Sequence, residues 1–192
     1  MPYLVAGLVI FLGAHSTSIF APAWRDRMEQ RLGTPGWKLL YGLVSIVGFV
    51  LIVRGYGLAR AAPVAIYTPP DGLRHLAALV MLPVFPLLLA AYLPGRLQTA
   101  AKHPMLAAVK VWAVAHLLAN GNLADLLLFG GFLAWAVADR ISLKRRAPRP
   151  VPGLPKSSFN DVLVIVGGLA IYVWFVAWAH ARLIGVSPMG GG

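Results

Sequence analysis

Long apolar stretches with few charges limit what this chain can fold into. A window of about 20 such residues, wound as a helix, crosses a hydrocarbon layer of roughly 30 Å. Six windows meet this description, at about 3–22, 37–56, 73–93, 104–120, 123–139 and 160–183. They leave little of the 192-residue chain for a soluble domain. The sequence therefore predicts an all-α integral membrane protein, a bundle of about six transmembrane helices forming one domain over residues 1–192.

Polar residues and prolines mark the predicted helix ends and a bend. Asn122 followed by Asp125, and Ser158 followed by Asp161, have the spacing of N-terminal caps. Pro83 and Pro86 fall inside the third window. Each removes a backbone donor, so a bend is expected there, either a tolerated kink or one that makes room for a ligand.

The basic residues predict an orientation. Twelve of the 17 lysines and arginines fall in the loops after the first, third and fifth windows, namely Arg25, Arg27, Arg31, Lys38, Arg96, Lys102, Arg140, Lys144, Arg145, Arg146, Arg149 and Lys156. The opposite loops hold four. Because cytoplasmic loops are enriched in positive charge, both termini are expected outside the cytoplasm. The net charge of +11 thus reflects topology and lipid contact, and nucleic acid is not an expected partner.

The histidines are the candidate chemical groups, since the chain has no cysteine to ligate a metal or form a disulfide. His15 and His116 each lie about 12 residues into their predicted helices, which places both near the middle of the bilayer. His75, His103 and His180 fall near the predicted helix ends. Ionisable side chains at such depth usually face the bundle interior, so His15 and His116 are the candidates for a buried site.

The neighbours of the two deep histidines favour a flat cofactor. His116 shares a helix face with Trp112 and Asn120, and His15 shares one with Phe11 and Gly7. Two imidazoles on different helices suit haem b with two axial histidine ligands. The alternative is a neutral histidine hydrogen-bonded within a helix interface. A zinc site is less favoured because it usually needs three or four ligands.

Haem carboxylates would need basic partners at a water-facing end of the bundle. Arg54 and Arg74, with His75 beside the latter, are available on the predicted outer side. Lys110 and Arg140 are available towards the inner side. The outer pair is the prediction, with simple snorkelling of Arg54 to the membrane surface as its alternative.

Several stretches resemble a known family over nearly the whole chain. They are "FLGAHS", "APAWRD", "LVSIVGFVLIVRGYG", "LRHLAALVMLP", "AAYLPGR" and "KHPMLAAVKVWAVAHLLANGNLADLLLFGGFLAWAVADRISLKRR". Together they resemble the NnrU family of bacterial membrane proteins, which is similar in turn to the zeta-carotene isomerases, integral membrane haem b proteins. The resemblance implies a bacterial inner-membrane location and haem ligands at His15 and His116.

The resemblance leaves three functions open. The isomerases have a cysteine three residues before the second ligand, and Ala113 stands there in this chain, so a cysteine–histidine ligand exchange is not available. Resemblance to NnrU proteins implies a haem b protein with a redox, gas-sensing or assembly role in nitrogen-oxide respiration, with nitric oxide as a partner. The alternatives are a haem-dependent isomerase of a carotene-like polyene lipid, and a haem-free transporter or accessory subunit.

Overall fold

A computed structural model describes residues 1–146 and 153–189 of the chain. Arg149 and the C-terminal glycines lie outside these residues. The described part is helical and contains no strand, only one isolated antiparallel bridge between Ala65 and Asn122. Its helices are α1 Pro2–Phe20, α2 Pro22–Ala61, α3 Gly72–Met81, α4 Val84–Ala90, α5 Arg96–Ala101, α6 Pro104–Ala119, α7 Leu123–Ser142 and α8 Asn160–Ile184.

Four stretches of the described chain are long and apolar enough to cross a membrane, namely Pro2–Phe20, Pro22–Ala61, Gly72–Ala90 and Asn160–Ile184. The predicted count of about six is not confirmed. At 16 residues, α6 extends only about 24 Å. α7 has 20 residues, but it carries three charged side chains, Asp125, Asp139 and Arg140. Charged side chains are costly to place in the hydrocarbon layer. The apolar helices indicate a membrane lipid environment.

The helix bounds differ from the sequence prediction mainly around residues 21–36. α2 begins at Pro22, about 15 residues earlier than predicted, and is interrupted at Gly33, whose φ of 70° and ψ of 161° are not helical. The short α5 was not predicted at all. The expected interruption at Pro83 is present, since α3 ends at Met81 and α4 begins at Val84.

One predicted cap is confirmed and the other is wrong. Asn122 and Asp125 form a capping box at the start of α7, in which the Asn122 N–H donates to the Asp125 carboxylate at 3.0 Å. Ser158 does not cap α8, which begins at Asn160. Asp161 instead accepts a hydrogen bond from the backbone N–H of Arg96 at 2.8 Å. Its carboxylate therefore satisfies an open donor at the start of α5.

The chain divides into two compact units. The first, residues Met1–Tyr67 and Gly121–Lys144, contains α1, α2 and α7. Its first two helices pack backbone against backbone at Gly7, Gly48 and Gly55. A Cβ built on Gly7 would lie 2.5 Å from the Ile52 nitrogen, and one on Gly48 would lie 2.8 Å from the Phe11 nitrogen. Small residues permit this close approach, the usual mode of helix packing within membranes.

A buried carboxylate joins α2 to α7 within this first unit. Asp125 is 2% exposed and accepts a hydrogen bond from the Tyr56 hydroxyl at 2.5 Å. The loop after α2 is held beside it, because the Leu123 N–H donates to the Val64 carbonyl and the Ile66 N–H donates to the Gly121 carbonyl. These bonds fix where α7 begins relative to the end of α2.

The second unit comprises residues Thr68–Asn120 and Arg145–Gly192. Val84, Leu87 and Ala108 form its buried apolar cluster between α4 and α6. α8 joins this unit through the Tyr172 hydroxyl, which donates to the Ala78 carbonyl at 2.8 Å. The Asn160 amide donates to two carbonyls, those of Pro94 and Pro155, at 2.9 and 3.1 Å. Asn160 thus fastens the segment before α8 to the turn before α5.

Candidate functional site

His15 is held on α1 by a hydrogen bond to its own helix. Its Nδ1 lies 2.7 Å from the Phe11 carbonyl oxygen, one turn earlier. A carbonyl can only accept, so Nδ1 carries the hydrogen and the lone pair of the neutral ring is on Nε2. Histidines that bind metals commonly donate their other ring N–H to a carbonyl in this way, which orients the ring for the metal.

Aromatic rings from three helices surround His15. Phe11 stacks on the imidazole with centroids 4.2 Å apart and planes inclined by 23°. Tyr41 of α2 lies at 5.1 Å, and Trp135 of α7 meets the imidazole edge-on at 5.9 Å and 86°. Phe132, also of α7, packs against Phe11 at 5.7 Å. The half-buried imidazole is therefore in contact with aromatic side chains of α1, α2 and α7, and we call these five residues the His15 cluster.

Two polar groups of α7 are relevant to this cluster, the Trp135 indole within it and the nearby Asp139 carboxylate. The indole Nε1 of Trp135 is buried and has no hydrogen-bond partner among the described residues. Leaving such a donor unsatisfied costs about 1–3 kcal/mol, so a group that accepts a hydrogen bond there would be stabilised. Asp139, one turn further along α7, is 9% exposed and interacts electrostatically with both His15 and Tyr41.

His116 shows the same local arrangement in the second unit. Its Nδ1 lies 2.8 Å from the Trp112 carbonyl oxygen, so its lone pair is also on Nε2. The Trp112 and His116 rings are 5.3 Å apart with planes inclined by 51°, as expected for neighbours one turn apart. The Asn120 side-chain amide donates to the His116 backbone carbonyl at 2.9 Å. Trp112 thus contacts the His116 ring, and the Asn120 side chain caps the C-terminal end of α6.

A model of the NnrU protein family matches residues 3–188, nearly the whole chain. The chain belongs to the NnrU family. No curated protein and no solved structure matches it significantly. The relationship to the zeta-carotene isomerases therefore stays a prediction from the sequence.

The helix bounds of this NnrU protein put both histidines near helix ends. His15 is five residues before the last residue of α1, and His116 is three residues before the last residue of α6. The predicted windows ended seven and four residues after these histidines, so their positions along the helices differ little from the prediction. Their depth in a bilayer stays a prediction.

The arginines predicted to meet haem carboxylates lie at exposed positions. Arg54 is exposed on α2 beside the exposed apolar residues Val50 and Val53. It follows Tyr41 by thirteen residues, or about 20 Å along a helix. Arg74 is exposed and its guanidinium lies 3.0 Å from the Asp71 carboxylate. Two other basic residues are closer in sequence to the His15 cluster. Lys38 precedes Tyr41 by three residues, and Arg140 follows Trp135 by five.

The remaining histidines are not grouped with other ligands. His75 is exposed, His103 precedes the first residue of α6, and the Nδ1 of His180 lies 2.6 Å from the Val186 carbonyl oxygen. No group of three or more His, Asp or Glu side chains that could hold a metal ion occurs within residues 1–146 and 153–189. Any metal held by protein side chains alone would thus have fewer than three such ligands from the described part.

Three residues of the His15 cluster were not predicted from the sequence, namely Tyr41, Phe132 and Trp135. Tyr41 and Trp135 are 26 and 120 residues away from His15, so no local spacing links them to it. One signal was available, because Trp135 and Asp139 are four residues apart and lie on one face of α7. A tryptophan and a carboxylate sharing a face of an otherwise apolar helix indicate a polar feature on that face.

Proposed function

We propose that this NnrU protein binds haem b within the membrane through histidine, and that it serves nitrogen-oxide metabolism in a redox, gas-sensing or assembly role. Family membership supports the link to nitrogen oxides. The observation that carries the haem proposal is His15 itself, whose Nδ1 is held by the Phe11 carbonyl and whose ring contacts aromatic side chains of three helices. This is the arrangement expected of a ligand imidazole facing a flat apolar group.

The residues of the His15 cluster fit such a group. The Phe11 carbonyl holds the Nδ1 hydrogen and keeps the lone pair on Nε2. Phe11 stacks on the imidazole and packs in turn against Phe132, which places apolar surface beside the ring. The Trp135 indole supplies a buried donor for an acceptor atom. When bound, haem would supply one-electron chemistry, and a small gas could reach its iron only by displacing one of the two histidines.

His116 would be the second histidine that holds the haem, as the family resemblance implies. Its support is the matching bond from Nδ1 to the carbonyl four residues earlier. For the haem carboxylates, Lys38 and Arg140 are nearer along their helices to the His15 cluster than Arg54 is. Arg74 already forms a salt bridge with the Asp71 carboxylate. We therefore favour Lys38 and Arg140 over the outer arginines as carboxylate partners.

Absorption spectra of detergent-purified protein test the proposal. The wild-type chain should show sharp reduced bands of low-spin haem after dithionite is added. His15→Ala and His116→Ala should each convert the haem to high-spin or lose it, and the double replacement should be colourless. His103→Ala and His180→Ala are the matched controls, and their reduced spectra should be unchanged.

Three outcomes would contradict the proposal or part of it. Colourless wild-type protein, reconstituted with haem without any spectral change, would favour the haem-free transporter or accessory subunit. Unchanged spectra in both His15→Ala and His116→Ala, with bleaching in His180→Ala, would move the haem to another site. Turnover of a cis-polyene by the reduced protein would favour the isomerase.

A further inference from the structure

A charged helical segment joins the first two apolar helices. Residues 22–32 form the first part of α2 and carry five charged side chains, Arg25, Asp26, Arg27, Glu29 and Arg31. So many charges are too costly for the hydrocarbon layer. The segment is bounded by Ala21, at φ −136° and ψ 51°, and by the break at Gly33. Because an apolar helix adjoins each end, this connecting segment is expected at the membrane surface.

The connecting segment is docked on the helix that follows it. The Trp24 ring meets the buried Trp37 ring edge-on at 6.1 Å. The Arg25 guanidinium lies over the same Trp37 ring at 5.6 Å and pairs with the carboxylates of Asp26 and Glu29. These contacts hold the segment in one rotational position relative to residues 34–61.

That rotational position leaves tryptophan and arginine exposed together. In a helix of 3.6 residues per turn, Arg27 and Arg31 lie within about 60° of Trp24, whereas Gln30 lies about 120° away. Trp24 is 45% exposed, and Arg27 and Arg31 are also exposed. Tryptophan beside basic residues is typical of helices that lie in the membrane interface.

We propose that the connecting segment binds the surface of an anionic phospholipid bilayer, with Trp24 in the headgroup region and Arg27 and Arg31 on lipid phosphates. A lipid occupant fits because the segment continues directly into apolar helices at both ends, and because its exposed charges beside Trp24 are positive. The charge-based orientation also places it on the cytoplasmic side, where anionic lipids attract arginines. This surface is independent of haem binding.

The absence of cysteine in the sequence allows the test, because a single engineered cysteine can be spin-labelled without background. The full chain carrying Trp24→Cys or Gln30→Cys is placed in nanodiscs of phosphatidylcholine and phosphatidylglycerol. Label accessibility is measured to oxygen, which enters lipid, and to a water-soluble nickel chelate. The oxygen-to-nickel ratio should be several-fold higher at position 24 than at position 30.

Trp24→Cys also removes the Trp24–Trp37 contact, so a second variant that keeps this contact is needed. Arg31→Cys places the label on the same side of the segment, and it too should show a higher ratio than Gln30→Cys. Equal ratios at all three positions, or labels at 24 and 31 shielded from both reagents, would overturn the proposal. Shielding from both would mean that protein covers this surface.

The attraction between anionic lipid and the segment is tested by replacing the two arginines. In the Trp24→Cys background, adding phosphatidylglycerol to phosphatidylcholine should raise the oxygen-to-nickel ratio, and Arg27→Gln with Arg31→Gln should abolish that rise. Lys144→Gln with Arg145→Gln, two exposed basic residues elsewhere, is the matched control and should retain it. A rise that survives the loss of Arg27 and Arg31 would overturn their assignment to lipid phosphates.

Discussion

Replacing Gly55 with alanine should separate α1 from α2. A Cβ built at Gly55 would lie too close to the backbone nitrogen of Leu4, at a distance that nonbonded contacts of real Cβ atoms essentially never show. The obstructing atoms are backbone, so they cannot turn aside as a side chain could. Gly57 is two residues further along the same helix, and a Cβ there would meet nothing within 4 Å. Gly57→Ala is therefore a matched control.

The comparison of the two variants isolates the packing cost. Each replacement gains the same helix propensity, at most about 1 kcal/mol in favour of alanine. That gain cancels between the variants, which leaves the cost of forcing a methyl group into a filled contact, about 1–3 kcal/mol. The folded-to-unfolded ratio of Gly55→Ala should thus be roughly 5- to 150-fold below that of Gly57→Ala.

Unfolding in mixed dodecylmaltoside and SDS micelles, followed by near-ultraviolet circular dichroism, measures this difference in free energy. Gly48→Ala, at the Phe11 contact, should behave like Gly55→Ala. If Gly55→Ala and Gly57→Ala unfold at the same SDS fraction, then the two helix backbones do not approach each other at Gly55, and the packing described for the first unit is wrong.

Two further replacements test hydrogen bonds that join distant segments. Tyr56→Phe removes the 2.5 Å bond to the buried Asp125 and should lower the free energy of unfolding by about 1.5–3 kcal/mol in the same micelle assay, whereas Tyr3→Phe, at a 55% exposed residue, should change little. An unaffected Tyr56→Phe would mean that this bond does not hold α7 to α2. Asn160→Ala frees the segment before α8 and should speed tryptic cleavage after Lys156, and Ser158→Ala is the control; equal cleavage rates would contradict the fastening role of Asn160.

Apolar length predicted most of the helices because it is a local property. The starts of α6, α7 and α8 lie within a residue or so of the expected positions, since Pro104 and Asn122 are strong local start signals. The helical part of residues 22–32 was not expected, because its charges are typical of a loop. Its conformation depends on docking against Trp37, and that contact is tertiary.

The candidate site was predictable only where its contacts stay within one helix. The pairs Phe11–His15 and Trp112–His116 could be read from a spacing of four residues, and both are in contact. Tyr41 and Trp135 reach His15 from other helices, so only the fold brings them there. Asp161 was assigned to the wrong helix start, because its carboxylate could serve either the adjacent α8 or the distant α5.

The first unit is discontinuous in sequence, and this sets an order for its biosynthesis. α1 and α2 can pair as soon as both have been inserted, but Phe132 and Trp135 arrive with α7, more than 110 residues after His15. At about 5–20 residues per second, ribosomes need roughly 6–24 s to make that stretch. During this interval His15 has Phe11 and Tyr41 beside it and lacks its α7 neighbours. The His15 cluster is thus completed only after residue 135 has been made, so a ligand has access to His15 from the α7 side until α7 is inserted.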